Sequence, residues 1–253
     1  MSFNIAIRGL NAVNAQLNTI SNNIANADTV GFKSGREMFS ALYVNGSGNG
    51  VMDQGAQQSM DANGSLVSSS DSLDMAISGK GFFILQDTNG STKYSRAGYV
   101  QVDKDGYLVN NSGLKYQGLT ANGGLADIKI SETNEKGQLS GVSIDEKGNV
   151  QATYTDSSTL IAGQVALASF PNEDKLQAED GTTWSATSES GAAQAGIAQS
   201  GVLGSLHNGS LESSNVDLTG ELVNLMSAQR NYQANTKVIS TDSSMFTALF
   251  QAI

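Results

Sequence analysis

The sequence predicts an α+β protein: N- and C-terminal helices of coiled-coil type form one stem, and a central, mostly antiparallel β domain lies between them. Two observations carry this. Apolar residues recur at alternating spacings of three and four from Phe3 to Ala27 and again from Leu218 to Ile253, whereas the stretch between them carries short β-type runs broken by Asn-Gly and Asp-x-x-Gly turns. Gly-rich stretches stand where the two patterns meet.

In the first helix Phe3, Ala6, Leu10, Val13, Leu17, Ile20, Ile24 and Ala27 keep the 3-4 rhythm without a slip. About 25 residues of helix would span roughly 38 Å. Its other faces carry Asn4, Asn11, Asn14, Asn18, Asn22 and Asn23, with Gly9 inside, so the isolated helix should be marginal in water. The second helix places Leu218, Leu222, Leu225, Gln229, Tyr232, Thr236, Ile239, Ser243, Phe246, Phe250 and Ile253 on one seam. Ser214-Asn-Val-Asp217 offers a capping box, with Asp217 the alternative N-cap. A second apolar row, Val223, Met226, Val238, Met245 and Leu249, calls for neighbours on more than one side. Leu10, Val13, Leu17, Ile20, Ile24, Leu218, Leu222, Leu225, Tyr232, Ile239, Phe246 and Phe250 are the candidate subunit-packing residues.

Between the helices, strands are expected at Leu73–Ile77, Phe82–Asp87, Thr92–Tyr94, Tyr99–Val102, Tyr107–Val109, Asp127–Ile130, Gly141–Ile144, Val150–Tyr154 and Gln164–Phe170. Asn89-Gly90, Asp103–Gly106 and Glu146–Asn149 supply turns. Strands this closely spaced, without helices between them, argue for an antiparallel sandwich or barrel. Asn45–Gly50 and Ser188–Gly209 read as flexible joints. The expected organisation is a helical assembly domain from 1–44 and 213–253, a Gly-rich joint at 45–72, and a β domain at 73–212.

Composition excludes whole classes of function. The 253 residues hold 14 Lys+Arg against 24 Asp+Glu, a net charge of −10, which speaks against nucleic acid and anionic membrane as partners. With no Cys and one His (His207), thiol chemistry and multi-histidine metal sites have no material. The weak motifs fail on context. Gly79-Lys-Gly81 lacks a strand–loop–helix unit, Asp103-x-Asp105-Gly106 reads as a hairpin turn rather than a calcium loop, and Ser112-x-x-Lys115 has no companion motif. No catalytic, cofactor-binding or metal residue is therefore assigned, and no enzyme or small-molecule substrate is expected. Arg is scarce, so Arg96 and Arg230 are candidates for register-setting contacts. The N-terminus has no basic start followed by an apolar run, so it does not read as a cleavable secretion signal.

Ser21-Asn-Asn-Ile-Ala-Asn26 with Thr29-Val-Gly-Phe-Lys33 resembles the N-terminal signature of the bacterial flagellar axial proteins of rod and hook. Leu73–Ile77, Gly79–Phe83 and Tyr94-Ser-Arg-Ala-Gly98 resemble the family's central β motif, and Ser213–Asp217, Glu221–Asn224 and Ala228-Gln-Arg-Asn-Tyr232 its C-terminal one. The matching positions include Asn22, Asn23, Asn26, Gly31, Phe32, Lys33, Arg96, Asn215 and Arg230. The resemblance implies a structural subunit without cofactors that forms a helical homopolymer, meets other axial proteins at the segment ends, and reaches the flagellum through its export apparatus without a cleaved signal. Motif wording favours a subunit of the hook, the tube coupling motor to filament, with a reduced outer region. Chain length favours the alternative, a rod subunit of the basal body.

Overall fold

A computed structural model of the chain describes residues 2–44, 47–120, 124–131, 133–134 and 137–251. The chain divides into two compact units. One comprises the residues up to Ala27, Lys33–Ser59 and those from Val216 onward, and the other comprises Asp28–Phe32 and Met60–Asn215.

The first unit holds both long helices, α1 (Ser2–Ala25) and α2 (Leu218–Gln251), together with an antiparallel hairpin of Gly35–Val44 and Ser47–Gln58. Asp217 caps α2: its carboxylate accepts from the Thr219 amide at 3.1 Å, and its carbonyl accepts from the Glu221 amide. The capping box proposed from Ser214 is thus replaced by its alternative. The hairpin corrects the sequence reading, which left 35–44 in a helical domain and began a joint at 45. The β-favouring residues Phe39, Tyr43, Val44 and Val51 carry a strand signal that the glycines around 46–50 mask. Asn45 and Gly46, the start of the proposed joint, lie outside the described residues, as does the last seam position, Ile253.

The second unit is β throughout, apart from a short 3-10 turn at Glu173–Lys175. Among the described residues, ten strands form its main sheet. Phe82–Gln86 lies at the centre of that sheet, pairing with Thr92–Ser95, Ala166–Ser169 and Lys115–Leu119, all antiparallel. The apolar run of Phe82–Leu85 has a simple cause, because both faces of this strand are buried. Phe83 and Leu85 join a core with Tyr116, Val150, Val165 and Leu167, whereas Phe82 and Ile84 join another with Tyr94, Phe170 and Trp184. Gly137–Ile144, Asn149–Tyr154 and Thr159–Gln164 build a further antiparallel sheet. The stretch read as a second flexible joint, 188–209, instead contains the strands Gln194–Ile197 and Ser205–Asn208, the latter paired with Met75–Ser78. Its Gly and Ala residues suit close strand approach: a Cβ on Gly204 would lie 2.2 Å from the Ser78 carbonyl oxygen.

Candidate assembly surface

In the first unit α1 and α2 pack along Val13, Ile20 and Ala228, flanked by Leu17, Ile24 and Leu225. Two further contacts fix their register. A Cβ on Gly9 would sit 3.1 Å from the Asn235 amide, so the absent side chain is what admits Asn235. Near the other end of α1, the buried Asn23 donates from Nδ2 to Glu221 Oε1 and to the Gly35 carbonyl, each at 2.8 Å, and accepts the Gly35 amide on Oδ1 at 2.8 Å. One carboxamide thereby ties α1, α2 and the start of the hairpin together.

These contacts turn α2 so that Leu225, Ala228 and Asn235 face α1, while most of the seam expected from the sequence faces outward. Of that seam, Leu225 and Ile239 are half-buried, and Leu218, Leu222, Tyr232, Phe246 and Phe250 are exposed, Phe246 at 58% and Phe250 at 80%. Val223, Met226, Val238 and Met245 are exposed as well. On α1, Val13 and Ile20 are buried and Leu10, Leu17 and Ile24 half-buried. The physical reason for the offset is size: alanine and glycine permit a closer approach of two helices than leucine or tyrosine does.

The motif residues of the second unit meet at one place. Arg96 and Glu212, each about 1% exposed, form a buried ion pair with Nη1 and Oε2 3.1 Å apart. Arg96 also donates to the Ile77 and Gly79 carbonyls and stands over the Phe82 ring at 5.3 Å. Burial pulls the Arg96 guanidinium below its ordinary range, and the Glu212 carboxylate opposes that pull. Glu212 accepts the Gly64 amide on Oε1 at 3.0 Å and the Gly31 amide on its backbone oxygen at 2.8 Å. Gly31 has φ +70°, and a Cβ there would lie 2.5 Å from the Ala97 nitrogen, so glycine is required. Asn215 completes the junction, its amide donating to the Phe32 carbonyl and its Nδ2 to the Ala62 carbonyl. Segments 31–32, 62–65 and 212–215 are thus knotted to Arg96.

Of the remaining motif positions, Lys33 is buried, Phe32 and Asn26 are half-buried, and Asn22 is exposed with its carbonyl accepting from Asn26. Arg230 is exposed on α2, so of the two arginines singled out only Arg96 sets register inside the chain. Glu212 was missed by sequence reasoning, since a lone Glu 116 positions from its partner leaves no local signal. His207 lies exposed on the strand Ser205–Asn208 rather than in a loop. Among the described residues, no group of three or more His, Cys, Asp or Glu side chains is placed to hold a metal ion, and no helix is long and apolar enough to cross a membrane.

Helix packing that leaves an apolar row uncovered in one unit, and buried charges that serve to join segments in the other, define a structural building block. Comparison with known proteins makes this specific. Residues 3–33 match the model of the flagellar basal body rod protein, 76–152 that of the flagellar hook protein FlgE/F/G D1 domain, and 207–252 that of the flagellar basal body rod FlgEFG protein C-terminal region. The flagellar basal-body rod protein FlgG of Bacillus subtilis is 34% identical, covering 96% of this chain and 95% of its own, and FlgG of Buchnera aphidicola is 30% identical, covering 98% and 97%. The flagellar hook protein FlgE of Escherichia coli is 27% identical across 98% of this chain and 99% of its own. The chain belongs to the flagellar rod and hook axial protein family, a family of structural components of the flagellum.

Proposed function

We propose that this chain is a rod-type subunit of the flagellar basal body. The observation that carries the reading is length. The FlgG relatives align with the chain from end to end over 261–270 positions, whereas the hook relatives need 399–400 positions to be covered, against 253 residues here. The hook proteins therefore carry much sequence with no counterpart in this chain. This shifts the balance from the hook subunit favoured by motif wording to its alternative.

In this reading α1 and α2 form the coiled-coil-type stem, and the exposed row Leu218, Leu222, Tyr232, Phe246 and Phe250 packs against other copies and against axial proteins at the segment ends. A heterologous, non-closing contact of this kind generates a helical polymer. Passage through the flagellar export apparatus fits helices that stay weak until their apolar row is covered. Complementation tests the assignment: the chain should restore motility to bacteria lacking the distal rod protein and not to bacteria lacking the hook protein. Rescue of the hook-less strain alone would overturn it. Phe246→Asp should abolish polymer formation, read by electron microscopy, while leaving the circular dichroism of the free chain unchanged, because Phe246 is 58% exposed.

A further inference from the structure

The β unit carries a cleft of about 300 Å³ that the assembly reading does not use. Four turns and loops wall it: Asp28–Val30, Ala97 with Tyr99, Asn110–Ser112, and Gly181 with Thr182. Its volume lies at the small end of ligand-binding pockets.

The lining is polar, and its side chains have capacity to spare. Asn110 is 92% buried, and its Oδ1 is consumed by the amides of Ser112 and Leu114, each at 2.9 Å. Its Nδ2 makes no hydrogen bond among the described residues, which leaves an amide donor of a largely buried side chain at the cleft. Asn111 accepts from Gln101 on Oδ1 and keeps its Nδ2. The Asp28 carboxylate, the Tyr99 phenol and the Ser112 hydroxyl likewise have no side-chain partner among the described residues. The opposite wall is unusual in its backbone: Gly181 has φ +71° and the non-glycine Thr182 φ +55°, and strain of this kind gathers at functional sites.

The chemistry of this set selects its ligand. Asp28 with no Lys or Arg in the lining disfavours an anion, and a single carboxylate is a poor cage for a metal ion. An extended peptide would want a run of free backbone groups, yet several of those in the walls are already in use. Gly113 donates to the Asn110 carbonyl, and the Thr182 carbonyl accepts from the Ser95 hydroxyl. What matches two amide donors, two groups that both donate and accept, one carboxylate acceptor and one aromatic ring is a ring bearing several hydroxyls. We propose that this cleft binds a neutral saccharide unit.

The test is a titration of the 15N-labelled full chain with the linear tetramer of N-acetylglucosamine and, in a second arm, with maltotetraose. Binding of either sugar is expected as saturable amide shifts confined to 28–30, 97–99, 110–112 and 181–182. Asp28→Ala and Asn111→Ala, both exposed side chains, should each weaken the affinity about fivefold, the loss of one hydrogen bond, without moving the thermal midpoint. Absence of shifts with both sugars, or shifts that the two variants leave unchanged, would overturn the proposal. So would shifts of the same amides driven by protein concentration alone, which would assign the cleft to a second copy.

Discussion

Replacing Glu212 by Gln removes one charge from the centre of the junction while keeping its size. Arg96 would then stand 1% exposed without its ion-pair partner, its Nε already lacking a hydrogen bond, and only neutral acceptors beside it and the field of Glu173 would offset its charge. Removing one member of a buried pair costs about 3–5 kcal/mol. With a urea slope of about 2 kcal/mol/M, the midpoint should fall by roughly 1.5–2.5 M. The protein supplies its own reporter: Trp184, its sole tryptophan, is 2% exposed and packs edge-on to Phe82 at 5.7 Å, the ring beneath Arg96. Urea unfolding followed by Trp184 fluorescence therefore reads the unit that holds the pair. Arg96→Met with Glu212→Leu should recover part of the loss, since an apolar pair leaves no buried charge. Recovery stays incomplete because the Gly64 amide and the Gly79 carbonyl lose their partners. A midpoint drop under about 0.5 M for Glu212→Gln, or additive effects in the double variant, would refute the claim that this pair holds the junction.

Gly31→Ala forces a Cβ into the Ala97 backbone at positive φ and should cost about 2–4 kcal/mol in the same assay, whereas Gly113→Ala, at φ +77° with nothing within 4 Å, should cost about 1 kcal/mol. Glu173 has a raised pKa, first because burial disfavours its charge, with Lys80 and Arg96 pulling the other way. Its proton is held more tightly folded than unfolded, so the ionised form destabilises at neutral pH and the penalty fades as pH falls through the folded value. Glu173→Gln should accordingly raise the thermal midpoint at pH 7, and the gain should vanish at acid pH; a gain that grows on acidification contradicts the sign.

The β unit was legible wherever the chain announces its own turns. Asn89-Gly90 and Asp103–Gly106 sit in turns closed by hydrogen bonds from the Gly90 and Gly106 amides to Asp87 and Asp103, and strands flank both, although Tyr99 and Val100, expected in strand, precede the strand Gln101–Val102. The helices were legible as helices for the same reason, since an unbroken 3-4 rhythm has few other outcomes. The face α2 turns toward α1 was not. Periodicity ranks positions by apolarity, whereas contact here was decided by the smallness of Gly9 and Ala228, which weigh little on any hydrophobic scale. The long hairpin of the first unit was hidden by glycines that resemble a linker, and Glu212 by its distance along the chain from Arg96.

The excess of Asn and Gly in α1 first reads as a defect, and the magnitudes argue otherwise. An Asn in a helix interior costs roughly 0.7 kcal/mol relative to Ala, and a Gly about 1. Asn23 makes three hydrogen bonds from a site 1% exposed to solvent, each contributing about 1 kcal/mol net, so the residue is favourable in the folded unit by more than its helical penalty. Gly9 exchanges its penalty for the approach of Asn235. Both gains exist only when α2 and the hairpin are present, whereas both penalties apply to the isolated helix. The same residues therefore weaken α1 alone and strengthen it once α2 and the hairpin are packed against it, so α1 owes its stability to tertiary contacts rather than to helical propensity.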